Sequence, residues 1–291
     1  MHNPRLMQVI LEGKRLLQAK RVESARLESD LLMCHCLGCD RHHLYLSPIE
    51  ELTADTLEDY KGLLERRLGG EPIQYIIGNR DFMGLNFDVD RNVLIPRWET
   101  EILVEFITKE PSKGPINLLD LGTGSGAIGV SLAFYLPKSK VIAVDISDRA
   151  LEVAKANASK HVVSDRIELI AGDMFSALED DLHLNYFDII VSNPPYIKSQ
   201  EIGNLMREVK EHEPKTALDG GPDGLHFYRI IADVAHDYLK PAGMVAVEMG
   251  HGQSAQVQDI FSKTGKYCNV HILKDLSGID RHAVFYKANK G

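Results

Sequence analysis

An apolar run over residues 117–121 stops in Gly122-Thr123-Gly124-Ser125-Gly126 and gives way to a helix-like segment over 127–136. Strand, glycine-rich turn and helix in that order form the unit of an open, mostly parallel α/β sheet. There the glycines let a ligand approach the backbone at the carboxyl end of a strand. The spacing is GxGxG. It is neither the GxGxxG of dinucleotide enzymes nor the GxxxxGK[ST] phosphate loop.

The unit recurs downstream. Residues 141–145 form a second strand ending in Asp145, a little over 20 residues beyond Gly122, where a carboxylate can accept both hydroxyls of a ribose. Ser147 caps an expected helix over 149–158, and a third strand at 167–171 runs into Gly172-Asp173-Met174-Phe175. Asp173 suits the exocyclic amine of adenine, with Met174 or Phe175 against the ring. Taken singly, each acid is as well explained as a strand-end residue solvating a loop. Three of them in register (Asp120, Asp145 and Asp173) make chance a poor account. With no phosphate cradle in sight, the pattern favours a cofactor with a nucleoside and no phosphates, and S-adenosylmethionine meets that description. The expected cofactor contacts are Asp120, Gly122, Thr123, Gly124, Ser125, Gly126, Asp145, Asp173, Met174 and Asn193.

A fourth apolar run, with Phe187, Ile189, Ile190 and Val191, ends in Asn193-Pro194-Pro195-Tyr196. Asn193 offers a side-chain amide, and Pro194 a carbonyl with no N–H of its own to compete for partners. Together they can grip a planar NH2 group, and Tyr196 can wall it from water. Asn193, Pro194 and Tyr196 are the expected catalytic residues, and the whole tetrad, Pro195 included, is the expected substrate grip. The bland alternative, a proline-rich turn, is disfavoured by the place of the tetrad after a central strand.

Residues 1–70 carry no acid, base or nucleophile constellation and read as a small helical docking domain. One amphipathic helix spans 5–19 with Met7, Ile10, Leu11 and Leu17 near one face. A second runs from Ser24 to Gly38 with Leu27, Leu31 and Leu32, residues 44–46 form a connector before Pro48, and a third helix from Thr53 buries Leu57, Tyr60 and Leu64. Cys34, Cys36 and Cys39 crowd around three histidines, but their spacing is not a pair of CxxC knuckles, so they read as helix-face thiols with no metal. The basic cluster around Lys14 to Arg26 reads as a solvated face. Over 71–100 the expectation is a β-hairpin linker with strands at 74–77 and 85–89, and the catalytic domain fills 101–291.

In a chain of 291 residues with net charge -9, bulk electrostatics does not favour a nucleic-acid coat. No apolar run reaches the roughly 18 residues of a membrane span, and residues 1–17 are too broken by charge for a signal peptide. A cytoplasmic monomer is expected.

The segments Asp120 to Gly126, Asp145, Gly172-Asp173 and Asn193 to Tyr196 resemble the Rossmann-like S-adenosylmethionine-dependent methyltransferases of planar nitrogens. Further runs narrow this: Pro72 to Gly78, Val93 to Glu101, Glu213-Pro214, Gly220 to Leu225, Tyr228-Arg229 and Glu248-Met249-Gly250. With them the chain is similar to the peptide chain release factor glutamine methyltransferases, the PrmC/HemK family, over nearly its whole length. The resemblance implies a seven-stranded sheet with its last strands at 244–248, 269–273 and 282–286 and helices at 225–239 and 253–261. It also implies a substrate, the Gly-Gly-Gln glutamine of class 1 release factors, methylated on its side-chain nitrogen without stable nucleic-acid binding. One departure is Trp98, where the family usually shows the second proline of IPRPxTE. Two rivals are a methyltransferase of exocyclic amines in adenine or guanine, and a non-catalytic cofactor-binding module. The acidic balance counts against the first and the intact tetrad against the second.

Overall fold

The computed structural model describes residues 5–46, 51–110, 114–178 and 182–288, so Pro48 lies outside the described residues. The chain divides into two compact units, one up to Asn79 with Met206–His212, the other Arg80–Leu205 with Glu213–Gly291.

The first unit is helical: α1 (Leu6–Ala19), α2 (Ala25–Leu37), α3 (Arg41–Leu46), α4 (Ala54–Leu68) and α5 (Ile73–Ile77). Thr53 caps α4 by accepting from the Thr56 N–H at 3.2 Å, and Gly38 ends α2 in the left-handed conformation that glycine adopts without strain. The buried stripe of α1 is Leu6, Ile10, Gly13 and Leu17, while Met7 and Leu11 are exposed. Gly13 replaces a large residue in that stripe because Tyr60 presses on it: a Cβ there would lie 1.9 Å from the tyrosine hydroxyl. That hydroxyl shares a 2.8 Å hydrogen bond with Ser29, which donates to the Ile10 carbonyl. On α4, the buried Arg67 donates to Glu28 at 2.5 Å and to Glu208 at 2.6 Å, the latter on the later helix α9 (Arg207–His212).

Beyond the exposed Met7 and Leu11, two further sequence expectations change here. Residues 44–46 belong to α3, and the expected strand at 74–77 is helix α5, bracketed by Pro72 and a left-handed Gly78. Its β-branched isoleucines suggest a strand, but burial of Ile73, Tyr75 and Ile76 outweighs that propensity. The hairpin starts one turn later, as β1 (Asn79–Phe82) and β2 (Leu85–Asp88) joined through Met83 and Gly84, both at positive φ.

The second unit is built on seven strands: β3 (Ile116–Leu121), β4 (Ser139–Asp145), β5 (Ile167–Ala171), β6 (Phe187–Ser192), β7 (Leu239–Glu248), β8 (Tyr267–Lys274) and β9 (Asp280–Lys287). Their spatial order is β5-β4-β3-β6-β7-β9-β8, with β9 alone antiparallel to its two neighbours and the remaining pairs parallel. The helices α6 (Trp98–Lys109), α7 (Ala127–Tyr135), α8 (Asp148–Lys160), α10 (His226–Tyr238) and α11 (Ser254–Thr264) accompany the sheet. Two apolar clusters result. One joins Leu119, Leu121 and Phe187 to Tyr228, Ile231 and Phe261, and the other joins Leu118, Val141 and Ile189 to Leu103, Ile128 and Leu132. Alternate residues of β3 thus enter different clusters, as the period of two along a strand requires. Strand order reverses direction between β3 and β6, the switch point at whose carboxyl ends an open α/β sheet opens a crevice.

Candidate active site

The crevice is there, with a volume of about 480 Å³, and its lining includes Gly122 to Ser125, Asp145, Asp173, Met174, Asn193 and Pro195. The register sets this up. Leu121 pairs with Ser192, so Gly122 and Asn193 leave adjacent strands side by side. The Ser192 hydroxyl donates to the Leu121 carbonyl at 2.7 Å and pins the two strand ends together.

The glycine turn owes its shape to three left-handed residues, Gly122, Gly124 and Gly126, with φ of 71°, 57° and 80°. At Gly122 and Gly124 a Cβ would meet nothing of the protein within 4 Å, so the backbone borders open space. At Gly126 the demand is also steric, since a Cβ would crowd Val130 and Ala154 at 3.1–3.3 Å. Asn157, fully buried on α8, braces the turn by donating to the Ser125 and Asp88 carbonyls while accepting from the Asp88 N–H.

Asp145 faces the crevice with capacity to spare. Its Oδ2 accepts from the Gly124 N–H at 2.8 Å and its Oδ1 from the Ser147 N–H at 2.9 Å, leaving a further lone pair on each oxygen for a ligand hydroxyl. Burial raises its pKa, against the lowering effect of the Ser147, Gly124 and Ile146 N–H groups. Asp120 is placed differently. It is buried beneath the turn, does not line the crevice, and accepts from the Thr123 hydroxyl at 2.6 Å and the Gly129 N–H at 3.0 Å. Its other oxygen has no partner, and burial pushes the carboxyl up to about 6. Met174, at φ 48°, takes the crevice position, while Phe175 stacks on Tyr238 in the core.

In the tetrad, Asn193 donates through Nδ2 to Thr100 at 3.3 Å, while its Oδ1 and the Pro194 carbonyl accept no hydrogen bond from any described residue. Tyr196 packs against the core beside Gly250, and burial raises its hydroxyl pKa. Its carbonyl accepts from Gln253 Nε2 at 3.0 Å. The segment after Glu213 lies close: Gly220 donates to the Ile197 carbonyl, and a Cβ on Gly220 or Gly224 would come within 2.7 Å of the Tyr196 backbone. Arg97 lines the crevice and is held by both oxygens of the buried Glu213, at 2.6 and 2.8 Å.

Two family models match the chain, the PrmC N-terminal domain over residues 8–78 and the methyltransferase small domain over 98–221. A release factor glutamine methyltransferase of Geobacter sulfurreducens is 44% identical over 91% of this chain and 90% of that protein. The chain belongs to the release factor glutamine methyltransferase family. A member from Moorella thermoacetica is 40% identical over 97% of this chain and 98% of its own length. Among solved structures, a methyltransferase from Pyrococcus furiosus (20% identical, TM-score 0.52, covering 79% of this chain and all of that one) shares the fold. So does the human Mettl16 catalytic domain (18% identical, TM-score 0.52, covering 77% and 81%).

The family match makes the chain a methyltransferase whose methyl donor is of the S-adenosylmethionine type. Trp98, the departure from the family's IPRPxTE run, is the first residue of α6, 43% exposed and away from the crevice lining. That helical position favours proline for its fixed φ but tolerates other residues. Thr100, Asn157, Gln253 and Arg97 were not legible as site residues. Each acts through a partner distant in sequence, and no local spacing marks such a pair.

Proposed function

We propose that this protein transfers a methyl group from S-adenosylmethionine to the side-chain nitrogen of the Gly-Gly-Gln glutamine in class 1 release factors, gripping that amide with Asn193 and Pro194. The observation that carries the reading is the pair of unengaged acceptors, Asn193 Oδ1 and Pro194 O, at the end of β6 beside the glycine turn of β3. The donor fits the residues present. Gly122 and Gly124 leave room against the backbone, Asp145 has lone pairs for two ribose hydroxyls, and Met174 supplies an apolar wall. Asp173, also on that wall, suits the adenine amine. Asp120 serves the cofactor from beneath, by holding Thr123 and the start of α7.

When bound, S-adenosylmethionine supplies an electrophilic methyl group. An amide nitrogen is a poor nucleophile because its lone pair is delocalised into the carbonyl, so the protein's task is positioning and electrostatics. Asn193 Oδ1 and Pro194 O accept one amide hydrogen each and turn the nitrogen toward the donor. As positive charge grows on that nitrogen its hydrogens become more acidic, and both hydrogen bonds strengthen in the transition state. The surplus proton leaves the nitrogen after transfer, and no side chain is assigned as base. Tyr196, packed on the core beside Gly250 and outside the crevice lining, backs the tetrad from within. The reaction belongs in the cytoplasm, where release factors act.

Asn193→Ala tests the grip. At saturating cofactor its methylation rate should fall by roughly 100-fold or more, on the scale of a lost transition-state hydrogen bond, far more than cofactor binding in equilibrium dialysis weakens. Equal losses in the two measurements would contradict the role.

A further inference from the structure

Asn193 can grip an NH2 group only if its oxygen, not its nitrogen, faces the substrate. The two ends of a carboxamide have nearly the same shape, so packing alone selects weakly between them. Behind Asn193 the fold supplies a selector. Asn193 Nδ2 donates to the Thr100 hydroxyl at 3.3 Å, and that hydroxyl donates to Glu248 Oε2 at 2.5 Å. Thr100 and Glu248 are 4% and 2% exposed, so water does not readily substitute for either partner. His282 Nε2 stands 3.6 Å from the same carboxylate oxygen, and Glu248 and His282 are register partners across β7 and β9. The row thus draws on α6, the end of β6, β7 and β9, and β7 is in register with β6 up to Val247 and Ser192.

The logic is one of donor counting. A hydroxyl has a single hydrogen, and a carboxylate offers only acceptors, so the Thr100 hydrogen is committed to Glu248. Toward Asn193 the hydroxyl then has only lone pairs, which demand an N–H. We propose that Thr100 and Glu248 are positioning residues that fix the orientation of the Asn193 amide, turning Nδ2 inward and Oδ1 toward the substrate nitrogen. This rests on the reading of Asn193 as the grip. Without Glu248 the Thr100 hydroxyl is free to donate to Oδ1, and Asn193 would then turn its own N–H groups toward the hydrogens of the substrate.

The test measures the methylation rate of an unmodified release factor at saturating S-adenosylmethionine, cofactor affinity by equilibrium dialysis, and melting temperature, all on the full chain. Thr100→Val removes the hydroxyl at nearly constant shape and should lower kcat by about 10- to 100-fold, the scale of a misoriented reacting group, with cofactor affinity unchanged. Thr100→Ser, which keeps the hydroxyl, should restore most of the rate. If the valine variant fails to fold, Thr100→Ala carries the same prediction. Joined to Asn193→Ala, the Thr100 change should cost nothing further, because there is no amide left to orient; a merely structural role would add its loss again. Wild-type kcat in Thr100→Val alongside a disabled Asn193→Ala would overturn the inference and leave the grip standing. An Asn193→Ala enzyme with unimpaired kcat would overturn the grip and the inference with it.

Discussion

Asp120 shows how one residue can serve a site without touching it. Its position before the glycine turn reads as a ligand contact, yet the carboxylate points under the loop to Thr123 and Gly129. With one oxygen unpartnered and the whole group buried, its pKa stands at about 6, against an ordinary 3.8. Between those values the folded chain keeps a proton that the unfolded chain has lost, so stability falls as pH rises through this window. The contribution is full below about pH 4 and gone above about pH 6. Measured against Asp120→Asn, which lacks this titration, the wild type should lose about 3 kcal/mol of unfolding free energy across that interval. Urea titrations of the two proteins at a series of pH values check it, and a constant difference between them would refute the raised carboxyl.

At the scale of elements, the central strands were legible because each is a short apolar run closed by a glycine, an acid or, at β6, the Asn193-Pro194 pair. β3, β4, β5 and β6 all occur where such runs predict. The first hairpin strand and α5 were not legible: four β-branched or aromatic residues between Pro72 and Gly78 satisfy either period, and only tertiary burial decides. Nor was the buried stripe of α1, since its centre is a glycine that no hydrophobic pattern marks. Gly13→Ala should destabilise the first unit by about 1–3 kcal/mol, as overpacking does, by driving Tyr60 off Ser29. Gly62, exposed inside α4 with nothing near its missing Cβ, makes the matching control: Gly62→Ala should stabilise by about 0.5–1 kcal/mol. Thermal unfolding of the two variants should therefore move in opposite directions. A Gly13→Ala protein as stable as wild type would mean that α1 and α4 do not approach so closely.

For the whole molecule, one sheet with its switch point between β3 and β6 accounts for why two motifs about 70 residues apart share a crevice. Much of the crevice lining was readable in sequence, in Gly122 to Ser125, Asp145, Asp173, Met174, Asn193 and Pro195. The supports behind them, Thr100, Glu248, Asn157 and Gln253, emerge only when the strands are assembled. The central claim is that the nitrogen methylated is a glutamine amide of a release factor. It is tested most directly by incubating the protein with methyl-labelled S-adenosylmethionine and an unmodified class 1 release factor, then mapping the label by tandem mass spectrometry of the digest. Label on the side chain of the Gly-Gly-Gln glutamine, accumulating far more slowly when Asn193→Ala replaces the wild type, is the predicted result. Label that appears in added nucleic acid and never on that peptide would contradict it.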